Sequence, residues 1–324
     1  MTAESIELVA GRFLEHNRAL GRKYLSEEHE LRLLVRFADA QGIIRLNQLT
    51  PGVLDDFLGS RSRSRPRSFN HLLGVVGCLL EWAVSQQLLT VSPLKTRRRR
   101  TTANRIPFLF DQAQARRLLD AAGALADNSR APRRGATHRT IFGLCYGLGL
   151  RAGEACGLRI GDVDTTRDLL VVKGGKFGKS RLVPHGPRIA ALLAEQLQRR
   201  AEDGATRAQE PLFTFDRVRT VHPRTASQTF HQLVLRLELP VPDGVRPPTL
   251  HSLRHSFAVG CLLRWYREGL DPAARLHRLS TFMGHVDPSS TAVYLTITPD
   301  LLAEANRRFE RYAEPAWREL ESRR

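Results

Sequence analysis

Residues 140–164 read "TIFGLCYGLGLRAGEACGLRIGDVD", an almost charge-free helical run that ends abruptly at Arg151. A helix without a charged face is expected to be buried in its domain. Because burying an unpaired guanidinium is costly, Arg151 must be paired or must face an anion. Glu154 follows one helical turn later and can hold the guanidinium in place. This stretch alone is equally compatible with a structural ion pair and with an anion site.

The segment that follows, "DLLVVKGGKFGKSRLVPH", places two short apolar runs on either side of a glycine-rich turn. This pattern predicts a β-hairpin at about 168–184. Elsewhere the apolar residues have helical spacing, and both Thr50 with Pro51 and Asp111 resemble helix starts. Helices are predicted at about 4–20, 26–41, 51–59, 67–88, 111–126, 135–149, 187–203, 224–238, 250–268, 273–284, 288–296 and 299–322. The fold class is therefore mainly α, with a small β-sheet or hairpin.

The length of 324 residues suggests about two domains. Between them, the stretch "SPLKTRRRRTTANRIP" (92–107) has proline near both ends and no apolar periodicity, which is typical of a linker. We therefore predict a helical domain at 1–92, a basic linker at 93–107 and a second domain at 108–324.

The chain carries 50 Lys and Arg against 33 Asp and Glu, a net charge of +17 that predicts a polyanionic partner. Nucleic acid is favoured over a membrane, because no apolar run reaches the ~20 residues of a membrane span and the N-terminus lacks the form of a signal peptide. Region 61–105 holds ten Lys or Arg and one acid, a run that usually extends in solution and orders against a polyanion. Its arginines belong to a solvated loop or contact DNA phosphates; the candidates for DNA contact are Arg61, Arg63, Arg65, Arg67, Arg97, Arg98, Arg99 and Arg100.

The sequence predicts no metal site and no cofactor. Its four cysteines are scattered, which is typical of small buried residues in a reducing compartment, and no H-E-x-x-H motif or paired Cys/His spacing occurs. A phosphate-binding loop for ATP is also missing from the sequence. Only five lysines occur, and Lys173, Lys176 and Lys179 fall within seven residues. Such clustering suggests a titratable cation at this turn, although chance clustering in a phosphate-binding turn would look the same.

Two further stretches carry candidate functional residues. In "PTLHSLRHSFAVGCLLRW" (248–265), His251 and Arg254 share a helical face. Arg254 falls within the apolar arc of that helix, which predicts a guanidinium reaching out of a packed wall towards a phosphate. In "FMGHVDPSSTAVYLT" (282–296), Tyr294 follows His285 by nine residues. This tyrosine is either a core aromatic or a nucleophile.

The residue types suit phosphoryl transfer when they are taken in order along the chain. Two arginines can hold the non-bridging oxygens of a phosphodiester and neutralise the charge that develops during transfer. The phenolic oxygen of Tyr294 can attack phosphorus and form a covalent intermediate. A lysine can protonate the leaving 5′ oxygen, and the histidines can assist proton movement. This chemistry requires neither a metal nor ATP.

The motifs "GLRAGEACGL", "KFGKSRLVP", "HSLRHSFA" and "MGHVDPSSTAVYL" resemble, in order and rough spacing across about 140–296, the boxes of the tyrosine recombinase, or phage integrase-like, family. Residues 1–92 resemble its helical DNA-clamping (SAM-like) domain. The resemblance implies the catalytic set Arg151, Lys176, His251, Arg254, His285 and Tyr294, with Glu154 and Lys179 in supporting roles. Hairpin length varies in the family, so Lys173 and Lys179 remain alternatives to Lys176. Ser252 stands where the family often has Asp, and "LFTF" (212–215) replaces a common turn.

By this resemblance we expect a site-specific DNA recombinase of the prokaryotic cytoplasm, associated with the nucleoid and acting for a mobile element through a 3′-phosphotyrosyl intermediate. Its expected partners are double-stranded DNA, three further copies of itself in a tetramer on two DNA sites, and possible accessory proteins. The C-terminal segment with Leu302, Ala305 and Phe309 is expected to dock on a neighbouring subunit or to cap its own domain. The alternatives are a catalytically silent DNA-binding regulator and a type IB-like topoisomerase.

Overall fold

The computed structural model describes residues 4–101, 106–173, 180–285, 289–292, 294 and 299–322. Its contacts divide the chain into two compact units, Met1–Asn104 and Arg105–Arg324. Each unit has its own hydrophobic core. No helix in the described part of the chain is long and apolar enough to cross a membrane.

In its described residues, the first unit is a bundle of four α-helices around one core. Thr50 Oγ1 accepts a hydrogen bond from the Val53 amide at 3.3 Å, and Pro51 occupies the first turn, so the predicted helix start is confirmed. Phe13, Leu34 and Leu79 are buried at the centre. The helices are α1 (Ile6–Ala19), α2 (Leu25–Ala40), α3 (Pro51–Gly59) and α4 (Pro66–Ser85).

Residues 94–100, which we call the basic strap, are bound to the first unit. The Asn70 side chain on α4 accepts from the Arg99 amide and donates to the Arg99 carbonyl, both at 2.8 Å. The Arg99 guanidinium lies 3.7 Å from the centre of the Phe69 ring, and Thr96 donates a hydrogen bond to Asp55. The expectation that this run orders only against a polyanion is therefore wrong for these residues, because protein contacts already hold them.

The arginines proposed to contact DNA differ in their surroundings. Arg63 is half-buried, pairs with Glu30 at 2.5 Å and donates to Ser68. The sequence predicted a solvated loop or a phosphate contact for this residue, whereas the structure shows an internal ion pair. Arg61 is half-buried with its guanidinium 5.8 Å from the Phe57 ring centre. The arginines with exposed positions are Arg65, Arg67, Arg97, Arg98, Arg99 and Arg100.

The second unit is mostly helical and includes a three-stranded antiparallel sheet in the order β1-β2-β3. Leu169 pairs with Pro184, and Val172 pairs with Arg181, so β2 and β3 form the predicted hairpin. The turn between them, with Lys176 and Lys179, lies outside the described residues. The strands are β1 (Val163–Asp164), β2 (Leu169–Val172) and β3 (Arg181–Pro184).

Helix α6 runs through the core of this unit. Ile141, Phe142 and Leu144 are all fully buried, which confirms the buried helix expected from its charge-free sequence. The helices of the unit are α5 (Gln112–Gly123), α6 (Arg134–Gly147), α7 (Ala152–Cys156), α8 (Pro187–Glu202), α9 (Pro223–Leu237), α10 (Leu250–Arg267), α11 (Pro272–Met283), α12 (Ser289–Ala292) and α13 (Pro299–Ser322).

A glycine turn separates α6 from α7. The helix predicted to reach residue 149 ends at Gly147, and Gly149 adopts a left-handed backbone with φ of 62°. A Cβ on Gly149 would lie 2.5 Å from Phe257 Cδ1, so only glycine fits. The short helix α7, which the sequence did not predict, then begins directly after Arg151.

The cysteines also differ from expectation in one case. Cys145 and Cys156 are buried and Cys261 is half-buried, as small hydrophobic residues should be. Cys78, however, is exposed on α4, so the expectation of burial is wrong for it. It lies on the solvent side of a helix whose apolar stripe already packs on the core.

Candidate active site

One carboxylate, that of Glu154, holds two arginines from different elements. Its oxygens accept from the Arg151 guanidinium at 2.7 Å and from the Arg151 amide at 3.0 Å. Arg181 on β3 donates to the same carboxylate at 2.8 and 3.0 Å. Burial opposes ionisation, but the hydrogen bonds from Arg181 and Arg151 prevail and lower the pKa of Glu154 to about 2. Glu154 is therefore a fixed negative charge at neutral pH.

Three guanidiniums converge on the C-terminal end of helix α11. The last carbonyls of a helix have no partner within the helix, and its negative end favours cations. Here three consecutive carbonyls each accept from a different arginine: Phe282 from Arg181 at 2.8 Å, Met283 from Arg254 at 2.8 Å, and Gly284 from Arg151 at 2.9 Å.

The sequence predicted that Arg254 reaches out of a packed wall, but the structure places this residue inside the wall, on helix α10. It is 1% exposed and donates to the carbonyls of Gly149 and Met283. Its Nε is buried and has no hydrogen-bond partner in the described part of the chain. Burial and the nearby positive charge of Arg151 lower the pKa of Arg254 to about 10, so it stays charged at neutral pH.

The Tyr294 hydroxyl is held inside this cluster. The residue is 3% exposed, and its Oη lies 2.9 Å from Nδ1 of His255, the residue after Arg254 on α10. The His285 ring is stacked at 20° with its centre 6.5 Å from that of Tyr294, and its Nδ1 lies 2.6 Å from Thr291 Oγ1. Burial raises the pKa of Tyr294, although the charges of Arg254 and Arg151 act in the opposite direction.

The three histidines of the cluster are neutral at pH 7. The His251 ring meets the His255 ring edge-on, with centres 4.6 Å apart. Desolvation, followed by the charges of Arg254 and Arg151, lowers the pKa of both His251 and His285 to about 4, even though His251 keeps an exposed face. Desolvation, followed by the neighbouring His251 and Arg254, lowers the pKa of His255 to about 3. The cluster can therefore bind an anion through its arginines and accept protons through its imidazoles.

The structure brings most of the predicted site residues together. Those that meet around the end of α11 are Arg151, Glu154, His251, Arg254, His285 and Tyr294. The predicted Lys176 and Lys179 lie outside the described residues. Lys173 Nζ is 2.6 Å from the buried carboxylate of Asp162, so this lysine is engaged elsewhere.

Sequence reasoning missed two members of the cluster, His255 and Arg181. His255 is four residues after His251 and so shares its helical face, a signal that was present in the sequence. Arg181 gave no such signal, because its partner Glu154 lies 27 residues away. Among the described residues, no group of His, Cys, Asp and Glu could hold a metal ion.

The chain is similar in sequence to known proteins. The sequence pattern of the phage integrase family matches residues 109–300. A protein of Sinorhizobium fredii called an integrase/recombinase is 33% identical to this chain. The match covers 92% of this chain and 95% of the length of that protein. The tyrosine recombinase XerC of Xanthomonas campestris pv. campestris is 29% identical to this chain, and the match covers 82% of this chain and 75% of the length of XerC.

Two solved structures share the fold. A lambda integrase dimer bound to a COC′ core site has a TM-score of 0.64 at 15% identity, covering 90% of this chain and 77% of that one. The Tn1549 transposon integrase in complex with transposon right end DNA has a TM-score of 0.64 at 18% identity, covering 95% of this chain and 99% of that one. The chain belongs to the phage integrase family, the tyrosine recombinases, and is a site-specific recombinase.

Proposed function

We propose that this recombinase cuts and rejoins double-stranded DNA through a 3′-phosphotyrosyl intermediate on Tyr294, during integration, excision or cointegrate resolution of a mobile element. The observation that carries the proposal is the Tyr294 hydroxyl, buried beside the charges of Arg254 and Arg151 and bonded to an imidazole. A phenol held in a cationic pocket is placed to attack a phosphodiester. The names of the relatives and the DNA in the neighbouring structures support this reading.

The two arginines of the family motifs bind the scissile phosphate in this proposal. Arg254 has a buried Nε without a partner in the described residues, and a phosphate oxygen would satisfy that donor. The Arg151 side chain is 31% exposed and remains accessible, while Glu154 fixes its position. Both charges offset the negative charge that grows on the phosphoryl group. His251 and His285 are neutral, so they orient the phosphate and assist proton movement.

Lys176 is the proposed general acid for the leaving 5′ oxygen. The family resemblance places it in the hairpin turn, with Lys179 in support. The ion pair between Lys173 and Asp162 favours these two lysines over Lys173, because the Lys173 ammonium already has a partner.

DNA and further copies of the chain are the proposed partners. The exposed arginines of the first unit supply phosphate contacts, which give affinity without much sequence information. On α13, Leu302 and Phe309 are 55% and 66% exposed, whereas Leu301 is buried. The apolar face with Leu302 and Phe309 is therefore not used to cap its own unit and suits a neighbouring subunit in a homotetramer on two DNA sites. Accessory proteins complete the proposed assembly.

A covalent protein–DNA adduct tests the proposal. The purified protein is mixed with nicked duplexes that tile the DNA beside its gene, in EDTA, and the products are separated after SDS denaturation. We expect a shifted band that is lost in Tyr294→Phe and kept in the control Tyr146→Phe, whose half-buried tyrosine lies on α6. An adduct that persists in Tyr294→Phe would exclude Tyr294 as the nucleophile. Tight DNA binding without any adduct would indicate a regulator.

A further inference from the structure

The hydroxyl of Tyr294 is bonded to a histidine that the family motifs do not assign. His255 Nδ1 lies 2.9 Å from Tyr294 Oη, with the two ring centres 5.5 Å apart. His285, which the motifs do assign, uses its Nδ1 for Thr291. His251 contacts the His255 ring, not that of Tyr294. In the described part of the chain, the hydrogen bond to the Tyr294 hydroxyl is therefore that of His255.

The donor in this hydrogen bond depends on the tautomer of His255, and the properties of the two groups favour the phenol. Burial and the surrounding charges keep His255 neutral, with a pKa of about 3, and burial raises the pKa of Tyr294, so the phenol keeps its proton. A neutral imidazole has one nitrogen that accepts and one that donates. Since phenol is the more acidic of the two neutral groups, its O–H donates and Nδ1 accepts. The proton of the nucleophile already points at His255.

We propose that His255 accepts the Tyr294 proton as the phenolic oxygen attacks phosphorus. This inference rests on the proposed role of Tyr294 as nucleophile. In the step, the bond from Oη to phosphorus forms while the bond from phosphorus to the 5′ oxygen breaks. The phenolic proton passes to Nδ1, which gives an imidazolium, and the leaving 5′ oxygen takes its proton from the general acid assigned to Lys176. In rejoining, the imidazolium returns the proton to the phenol.

The basicity of His255 depends on the charges that surround it. After burial itself, the groups that keep the ring neutral are the cationic or titratable neighbours His251, Arg254, Arg246 and His285. A phosphodiester bound to the arginines adds a negative charge that offsets this repulsion and stabilises the imidazolium. The phenolic oxygen also loses basicity as its bond to phosphorus forms, so a weak base can take the proton late in the step.

The experiment separates proton acceptance from simple anchoring. His255→Asn places an amide oxygen near the position of Nδ1, which keeps an acceptor for the phenol but cannot take a proton. We expect this variant to form the adduct about 10²–10⁴-fold more slowly than wild type under single-turnover conditions. A rate within about threefold of wild type would mean that His255 only anchors the tyrosine, and the proposal would fall.

A duplex with sulfur in place of the bridging 5′ oxygen assigns the proton to one side of the reaction. A thiolate leaves without protonation, so the sulfur substrate should restore Lys176→Ala but not His255→Asn. Restoration of His255→Asn by sulfur would place its role on the leaving group and overturn the proposal. If His255→Asn melts below the assay temperature, His255→Ala with added imidazole replaces it. Adduct formation that rises with imidazole supports the proposal, and a folded variant without that rise contradicts it.

Two controls make the outcome specific. His231→Asn changes an exposed histidine on α9 in the same unit and should keep the wild-type rate. Tyr294→Phe tests the nucleophile independently. An adduct in Tyr294→Phe defeats the proposed function itself, whereas an adduct lost in Tyr294→Phe but formed normally in His255→Asn defeats only the role of His255.

Discussion

Glu154 shows how one side chain sets the charge of the site. Its carboxylate is 7% exposed and lies between two guanidiniums, so it removes part of their mutual repulsion and fixes their orientation. A buried ion pair adds little over an apolar pair, but removing one partner leaves the other charge uncompensated. Glu154 is not one of the proposed reacting groups, but it fixes the positions of Arg151 and Arg181.

Replacing Glu154 by glutamine should lower the free energy of unfolding by about 3–5 kcal/mol, because Arg181 would lose its counter-charge in a buried position. Denaturant titration measures the change. Glu195→Gln is the matched control, since that side chain is 62% exposed and pairs with Arg199 at 3.5 Å; its effect should stay within about 0.5 kcal/mol. Equal effects of the two substitutions would contradict the prediction.

The pH dependence of stability provides an independent measure of the same carboxylate. The folded-state pKa of about 2 lies below the ordinary 4.5, so the stabilisation is complete above pH 4.5 and is lost as the pH falls towards 2. The difference in unfolding free energy between wild type and Glu154→Gln should therefore shrink by about 3 kcal/mol over that interval. A difference that stays constant with pH would show that Glu154 is not the titrating group.

At the scale of elements, the end of helix α11 organises the site. Apart from α7, which it missed, the sequence predicted the helices to within a few residues, and Arg151 with Glu154 was visible because both lie in one turn. The contacts of Arg181 and Arg254 with the carbonyls of residues 282 and 283 were not predictable, because they depend on how β3 and α10 pack against α11. His255 was overlooked for a related reason. Periodicity gives the face of a helix, whereas the partner of a side chain depends on tertiary packing.

Substitution of Gly284 tests how closely the Arg181 guanidinium approaches the end of α11. Its φ is 68°, and a Cβ would lie 2.7 Å from Arg181 Nη1; Gly269 has φ of 76° but open space around it. In both Gly284→Ala and Gly269→Ala, the free energy of unfolding should fall by about 1–2 kcal/mol, because alanine is strained in a left-handed backbone conformation. Gly284→Ala should lose more stability and form the covalent adduct more slowly, because Arg181 must move from Glu154. Identical losses and rates in the two variants would mean that Arg181 tolerates the methyl group.

The basic strap is a second element that the sequence did not predict correctly. Its charge indicates an extended run, but the hydrogen bonds of Asn70 with the Arg99 backbone hold it against α4. Asn70→Ala removes two hydrogen bonds of about 1 kcal/mol each, so trypsin should cut at Arg97 to Arg100 about tenfold faster or more. Asn47→Ala, at an exposed position of the same unit, should leave the rate unchanged. Equal cleavage rates in both variants would show that other contacts hold the strap.

On the scale of the whole molecule, the net charge of +17 predicted a polyanionic partner but not which arginines meet it. Arg63 and Arg97 illustrate why. The first pairs with Glu30 inside the unit, whereas the second is exposed on the strap, and composition treats them alike. Burial and pairing decide which positive charges remain available to a phosphate.

These two arginines should differ in their effect on DNA binding. Each phosphate contact contributes about −0.9 to the slope of log affinity against log salt. Arg97→Ala should therefore reduce the magnitude of the slope by about one without changing stability. Arg63→Ala should lower stability, because it leaves Glu30 unpaired, and should keep the slope. Fluorescence anisotropy over a salt series measures both slopes, and a reversed pattern would reassign the phosphate contact to Arg63.

The three guanidiniums at the end of α11 already have hydrogen-bond partners in the protein. A phosphodiester can directly take the Nε donor of Arg254, which has no partner among the described residues, and it reaches the donors paired with Met283 and Gly284 by exchanging with those carbonyl oxygens. The phosphate brings a full negative charge in place of a partial one, so the exchange favours the phosphate. The carbonyls of Met283 and Gly284 belong to the helix end that precedes His285. We therefore expect phosphate binding at these arginines to weaken their hold on the end of α11.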